Sequence, residues 1–404
     1  MKIAIIGGGA AGFFAAIAVK SNYKDYEVVI FEKSNTVLSK VKISGGGRCN
    51  LTNAIDSINE FASAYPRGEK FLKNAFRIFN NKHSIDWFQS HYVPLITQDD
   101  NCVFPASQNS QSIIDCFLRE TKRLGVLIQT NIEIKEIKQI PNQFELYFKD
   151  HEIEAIVFDK VIVTTGGSPN GENLAWIEKM NHKIIPPVPS LFTFNMPSEN
   201  ITQLMGIVIE NALVSFENSK LKANGPLLIT HWGMSGPAIL KLSSFGARIL
   251  NDLKYDFNIQ VNWINIVNNN IVFEKLTEIS QSNQHKQLAN FRAFMLPERL
   301  WLFLLEKCNL SSSKKWGEIG KKGINKLTNI LTNDVYSVKG KTTFREEFVT
   351  CGGVSLENID VNTMQSKNCK NLYFAGEILD IDGITGGFNL QAAWTTGFIA
   401  GKLG

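Results

Sequence analysis

The chain has 404 residues, 44% of them hydrophobic, which is enough for large cores and for two or three domains. Its 42 basic and 38 acidic residues leave a formal charge of +4, a mild surplus that argues neither for nor against a nucleic-acid partner. The six cysteines, Cys49, Cys102, Cys116, Cys308, Cys351 and Cys369, form no C-x-x-C pair and have no histidine cluster beside them, which speaks against a structural zinc site and a secreted disulfide framework. Reduced thiols in a cytosolic protein fit this usage.

Residues 2–6 (Lys-Ile-Ala-Ile-Ile) read as a buried parallel strand stopped by glycine, 10–20 as an alanine-rich helix, and 27–32 as a second, β-branched strand. This is a βαβ unit with a right-handed crossover. Its glycines at 7, 8, 9 and 12 interrupt the apolar stretch in a way that a secretory signal does not require. No later run reaches the roughly 18 apolar residues of a membrane span. A soluble, cytoplasmic protein that does not engage membranes is expected.

A helical pattern follows over Phe71–Gln89 and another over Ser112–Leu124, with a strand opening at Leu127-Ile128. Residues 133–158 read as antiparallel strands turning at Pro141-Asn142, and 159–165 as a return to a buried parallel strand before Gly166-Gly167. Pro186, Pro187 and Pro189 mark a boundary. Beyond it, Leu191–Asn195, Ile207–Phe216, Leu227–Thr230 and Phe257–Trp263 read as strands, Pro237–Leu250 as a helix with proline in its first turn, and 271–332 as several helices. Residues 345–404 return to the strand–glycine–helix style of the N-terminus, with a strand at Leu372–Gly376 and a last helix at Ala392–Gly401. The division is therefore 1–188 and 341–404 for one nucleotide-binding domain, 189–265 for an inserted β-rich domain, and 266–340 for its helical part.

Gly7-Gly8-Gly9-Ala10-Ala11-Gly12 is G-x-G-x-x-G between a strand and a helix. Gly7 permits the tight turn, Gly9 the approach of a pyrophosphate to the helix N-terminus, and Gly12 close helix–strand packing. Glu32, followed by Lys33, ends the second strand and offers its carboxylate to ribose hydroxyls. Near the other end, Gly376, Glu377 and Asp382 follow a strand, and Gly386-Gly387-Phe388-Asn389-Leu390-Gln391 opens the last helix. An acid there suits a ribityl chain, and a helix N-terminus suits negative charge on a reduced flavin. Residues Lys40 to Asn53 place three glycines between Lys42 and Arg48, offering backbone N–H groups and two positive charges to a diphosphate or flavin edge.

On these residues, and on Phe104-Pro105, Thr164–Gly167, Thr230–Pro237, Val349–Val354, Thr363–Lys367 and Tyr373–Gly401, the chain resembles the BaiN/RdsA-like family of FAD-dependent oxidoreductases from end to end. The resemblance implies an α/β fold: a Rossmann-type, two-dinucleotide-binding FAD domain with an inserted β-barrel-like domain and a helical subdomain. The expected cofactor contacts are Gly7, Gly9, Ala10, Ala11, Gly12, Glu32, Lys33, Lys42, Ser44, Gly45, Gly46, Arg48, Cys49, Asn50, Thr165, Gly166, Gly376, Glu377, Asp382, Gly387, Phe388, Asn389 and Leu390. Two departures stand out: a short Ser168–Glu172 loop after Gly166-Gly167, and Phe388 where the family carries tyrosine.

The resemblance further implies reduction of a conjugated C=C bond by hydride from reduced flavin, with NAD(P)H as electron donor. Two substrate classes follow from it: uracil in ribosomal RNA, and a small apolar or sterol-like molecule. Phosphate contacts would fall to Lys220, Lys222, Lys241, Arg248, Lys314-Lys315 and Lys321-Lys322 in the first case. Cys351 and His231 are the candidate proton donors. A redox-silent FAD-binding interaction protein is the third reading. The chain shows no second G-x-G-x-x-G, so the site for NAD(P)H is open, as is the oligomeric state.

Overall fold

The computed structural model describes all residues except 169–170, 172–173, 218 and 343–348. Two compact units emerge, Met1–Ser190 with Phe344–Gly404, and Leu191–Thr343.

The first unit is built on a five-stranded parallel sheet. β1 (Lys2–Ile6) is central; β2 (Glu27–Phe31) and Leu127–Gln129 lie on one side, Lys160–Val163 and Leu372–Phe374 on the other. Ile3, Ala4 and Ile5 are fully buried, which is why β1 reads as a continuous apolar run without alternation. The crossover helix α1 (Ala10–Asn22) is buried on nearly all sides from Ala11 to Val19, because the C-terminal helix Phe388–Ala400 packs on its other face. Strand order reverses between β1 and Lys160–Val163, and ligands of open α/β sheets bind outside the carboxyl ends of strands at such a reversal.

Several element boundaries differ from the sequence reading. The helical pattern at 71–89 is two helices, Glu69–Ala75 and Asn81–Ser90, because Asn80 caps the second: its side chain accepts from the His83 N–H at 3.2 Å. The prolines at 186, 187 and 189 lie inside a strand, Ile184–Ser190, paired antiparallel with Val349–Val354. Pro186 and Pro187 fall where its register shifts between Ile185 and Val188, and the strand has one partner only, so a missing N–H there costs no ladder bond. The last helix begins at Phe388, four residues early, since Gly387 takes the left-handed conformation (φ 88°) that turns the chain into it.

His182 is buried in this unit, and its Nε2 lies 2.7 Å from the Ser366 hydroxyl. That hydroxyl already accepts from the N–H groups of Asn368 and Cys369, so its own proton goes to the ring, which must be neutral. Burial holds the His182 pKa below its ordinary value. A histidine depressed in the folded state supports folding above its unfolded pKa, near 6.5, and that support is lost as pH falls through the folded value. Urea unfolding at pH 7.5 and 5.5 should show a stability loss on acidification that is smaller in His182→Gln; equal losses in both proteins would remove this assignment.

The second unit is a seven-stranded antiparallel sheet with helices packed on it. In spatial order the strands are Asp334–Lys339, Asp256–Asn262, Val208–Phe216, Lys222–Thr230, Gly233–Ser235, Thr193–Asn195 and Lys341–Thr342. The two edge strands are joined by Gly340 alone, whose C=O accepts from Asn195 and whose N–H donates to Tyr255, so the sheet closes on itself in barrel-like fashion. Helices Asn269–Ser282, Glu298–Lys307 and Gly320–Thr332 share one core with the sheet, around Trp263, Trp301 and Trp316. The expected helical part, 266–340, thus ends in a sheet strand, Asp334–Lys339. The single helix expected at 237–250 is split into Pro237–Phe245 and Ala247–Asp252 at Gly246, where a Cβ would lie 2.5 Å from the Phe216 ring.

Candidate functional site

The carboxyl ends of β1, Lys160–Val163 and Leu372–Phe374 align in register at Ile6, Val163 and Phe374. Gly7, Thr164-Thr165-Gly166 and Ala375-Gly376 therefore leave the sheet side by side. The Thr164 N–H donates to Ile6 and its hydroxyl reaches the Gly7 carbonyl at 2.9 Å. Gly7 (φ 113°) and Gly12 are closed positions: a Cβ would come within 2.4 Å of the Thr164 carbonyl oxygen at Gly7 and within 2.0 Å of the Gly7 carbonyl oxygen at Gly12. Gly9 is different. It caps α1, and an added Cβ would meet nothing within 4 Å. Ala10 is half-buried at the same helix start, whereas Ala11 is buried and packs against Gly376 and Gly397.

Glu32 turns its carboxylate back to this loop. One oxygen accepts from the Gly8 N–H at 2.8 Å, the other from the Ser34 N–H and hydroxyl. Lys33 beside it is exposed.

Residues 44–53 form the second wall. Gly45, Gly46 and Gly47 are all left-handed (φ 59°, 66° and 84°), and at Gly46 and Gly47 a side chain would enter open space. Arg48 lies over the Phe104 ring, 4.3 Å from its centroid, and bonds to the Gly45 carbonyl; Lys42 is exposed, and Ser44 bonds back to Val41. Cys49 is fully buried, and burial pushes its thiol up to about 12, so it packs rather than reacts. Asn50 Oδ1 is buried with no hydrogen-bond partner, an acceptor that a bound donor would satisfy.

The C-terminal residues join this wall. Thr52 bonds to Gln391 at 2.7 Å, Trp394 donates to the Leu51 carbonyl at 3.0 Å, and a Cβ on Gly387 would lie 2.5 Å from the Thr52 carbonyl oxygen. Glu377 accepts from Lys40 at 2.7 Å and from the Thr350 N–H at 2.9 Å. Phe388 is buried against Phe61 and Tyr65, whose hydroxyl bonds to the Phe388 carbonyl. The Asn389 amide is spent on the backbone of Gly383, and Leu390 is half-buried. Early and late segments thus enclose one region bearing free backbone positions at Gly9, Gly46, Gly47 and Gly166, an unsatisfied acceptor at Asn50, and carboxylates at Glu32 and Glu377. An extended dinucleotide with hydroxyl-bearing chains fits that inventory.

A family model for the HI0933-like protein Rossmann domain matches residues 1–403. The chain belongs to that family. HI0933-like proteins are FAD-dependent oxidoreductases. Among curated relatives, the 3-dehydro-bile acid delta(4,6)-reductase of Clostridium scindens is 27% identical over 99% of this chain and 98% of its own. The ribosomal RNA dihydrouridine synthase of Haemophilus influenzae is also 27% identical, over 98% and 96%. Among solved structures, the 3-ketosteroid-delta4-(5alpha)-dehydrogenase of Rhodococcus jostii RHA1 aligns with a TM-score of 0.51 over 99% of this chain and 96% of that one, at 10% identity. That likeness is one of fold.

Within this HI0933-like chain two expected site residues, Asp382 and Cys351, are enclosed, and His231 lies in the inserted unit as expected. Asp382 is fully buried, and its carboxylate accepts from Arg67 and, at 2.6 Å, from Ser190, so it braces the protein interior instead of facing a ribityl chain. Cys351 is fully buried opposite Val188. Its neighbour Thr350 faces Gly167 and Glu377, and strand alternation turns Cys351 to the other side. His231 lies in the second unit, exposed, with its ring edge-on to Trp232 at 4.4 Å. The Ser168–Glu172 loop lies mostly outside the described residues. Arg67 was not legible as a site-bracing residue, because its partner is 315 positions away. Among the described residues, no helix is long and apolar enough to cross a membrane.

Proposed function

We propose that this HI0933-like protein binds FAD between its early and late glycine loops and reduces the conjugated C=C bond of uracil in ribosomal RNA, with NAD(P)H as electron donor. A ribosomal substrate would place it in the cytoplasm. The observation that carries the choice of substrate is a charge split hidden in the total. Leu191–Thr343 holds 17 basic against 11 acidic residues, and the remainder of the chain 25 against 27. The inserted unit is thus positive and the nucleotide-binding unit slightly negative, which suits a polyanionic substrate met by the insertion.

Bound FAD would supply the two-electron reduction. The chain's own part is to hold and orient. Gly9 and the start of α1 receive the pyrophosphate, Glu32 the ribose, Gly45 to Gly47 and Arg48 the anionic or carbonyl edges, and Glu377 a hydroxyl-bearing chain. Glu377 is held in place by Lys40 and the Thr350 N–H. For the proton that completes reduction of the C=C bond, exposed His231 is favoured over enclosed Cys351. His231→Gln should slow substrate turnover while leaving flavin bleaching by NAD(P)H unchanged; slowed bleaching, or unchanged turnover, would remove His231 from this role.

A second reading, a small apolar enone as substrate, is favoured by the equal identity to the bile-acid reductase. Deletion of the gene followed by mass spectrometry of ribosomal RNA separates the two. Loss of one dihydrouridine, restored by the wild-type gene, is expected; an unchanged nucleoside profile would pass the assignment to the small-molecule reading.

A further inference from the structure

The surplus of the inserted unit is concentrated in one stretch. Residues 284–326 contain nine basic and three acidic residues, a difference equal to that of the whole unit. Backbone pairing folds the two ends of this stretch together. Leu288 donates to the Lys314 carbonyl at 2.9 Å, Trp316 to Lys286 at 3.0 Å and Gly317 to Gln284 at 3.1 Å, and Gln287 bridges Lys315. The backbone of Lys286 thereby lies opposite Trp316, one position along from the bridge between Gln287 and Lys315. The single-turn helix Trp316–Glu318 then runs straight into Gly320–Thr332, which opens with Lys321 and Lys322.

The base of this region is rigid. Trp316 is fully buried, donates its indole N–H to the Phe291 carbonyl at 3.1 Å, and stacks on Trp301 with 6.1 Å between centroids. Above it, Lys286, Lys315, Lys321 and Lys322 are exposed and Lys314 is half-buried. None of the five lies within ion-pair distance of a carboxylate among the described residues. The nearby acid, Glu318, accepts from the Lys315 backbone N–H. Lys321 and Lys322 also occupy the first turn of a helix, where the dipole favours acids and disfavours cations. Their charge therefore does not serve the stability of the helix that carries it.

These five lysines, of which Lys286 lies 4.9 Å over the Phe291 ring and none has a carboxylate partner among the described residues, suit a polyanion. We propose that Lys286, Lys314, Lys315, Lys321 and Lys322 form the surface that docks the phosphodiester backbone of the RNA substrate. The assignment rests on the ribosomal RNA reading above. Contact is with phosphate, so it supplies affinity and register, and sequence is read elsewhere.

The test uses the full-length, FAD-loaded protein and an in-vitro transcript of large-subunit ribosomal RNA, with binding measured between 50 and 200 mM salt. The variant K314E/K315E/K321E/K322E is compared with K24E/K122E/K135E/K179E, which makes the same change in net charge with lysines of the other unit. Each single-strand phosphate contact adds about −0.7 to the slope of log K against log salt, so the patch variant should lose roughly three units of slope and bind at least about 30-fold more weakly at low salt. The control should retain the wild-type slope, and flavin absorbance should be unchanged in both. The four-alanine version should weaken binding in the same direction, which guards against misfolding by charge reversal. If the wild type binds and the patch variants bind equally well, the docking surface is wrong and the ribosomal reading stands. Equal losses in patch and control variants would show a general charge effect and overturn the surface. If the wild type does not bind the transcript, and deletion leaves the dihydrouridine profile intact, both fall.

Discussion

Gly9→Val should yield a folded protein that no longer holds FAD. The backbone at Gly9 is extended (φ −95°), so any residue can adopt it, and its added Cβ would meet no protein atom within 4 Å. The cost to folding should be about 1 kcal/mol, since valine is a poor helix cap. In the proposed site that space is where the pyrophosphate would approach the start of α1, which leaves no room for bulk. A loss of at least about 100-fold in affinity is expected, equivalent to roughly 2.7 kcal/mol. Gly12→Val, three residues on, should behave differently. There a Cβ falls 2.0 Å from the Gly7 carbonyl oxygen and 2.8 Å from the Thr164 hydroxyl oxygen, so helix and strand must separate and soluble protein should be lost. Thermal melting and a fluorescence titration with FAD distinguish the two. Stoichiometric flavin retention by Gly9→Val would remove the pyrophosphate from this loop.

Asp382→Ala is expected to cost about 3–5 kcal/mol, the range for removing one partner of a buried ion pair. The Asp382 side chain is 0% exposed and that of Arg67 13%, so the buried guanidinium would lose this carboxylate. Ser190 would lose its acceptor as well. For a unit of this size each kcal/mol shifts Tm by roughly 2–4 °C, so a fall of about 6–20 °C should be seen. The double variant Arg67→Met/Asp382→Leu should recover most of the loss, because it replaces the pair by apolar groups of similar volume. If Asp382→Ala instead melts like the wild type but binds FAD poorly, the carboxylate belongs to the cofactor after all.

β1 and Lys160–Val163 were legible because each is a short apolar run leading into glycine, and burial removes alternation. Boundaries failed where a single residue overrides a pattern. Asn80 restarts a helix, Gly246 breaks one against Phe216, and Pro186 and Pro187 sit in a bulge that a one-partner strand allows. At the site, the glycine motifs could be read because positive φ and close approach leave few other residues admissible. The carboxylates could not be sorted. Glu377 and Asp382 are five positions apart and chemically alike, yet one reaches Lys40 near the glycine loop and the other is sealed against Arg67.

By itself the sequence determined the kind of fold and the glycine loops at the sheet ends, since these follow from periodicity and from glycines whose spacing is local, while the family was legible through motifs shared from end to end. Only the tertiary structure decided which side chains lie beside those loops. Lys40 meets Glu377 across 337 positions, Thr52 meets Gln391 across 339, and the Lys286 carbonyl accepts from the Trp316 N–H. Such contacts depend on how separate elements pack in three dimensions, and no local pattern of residues encodes them.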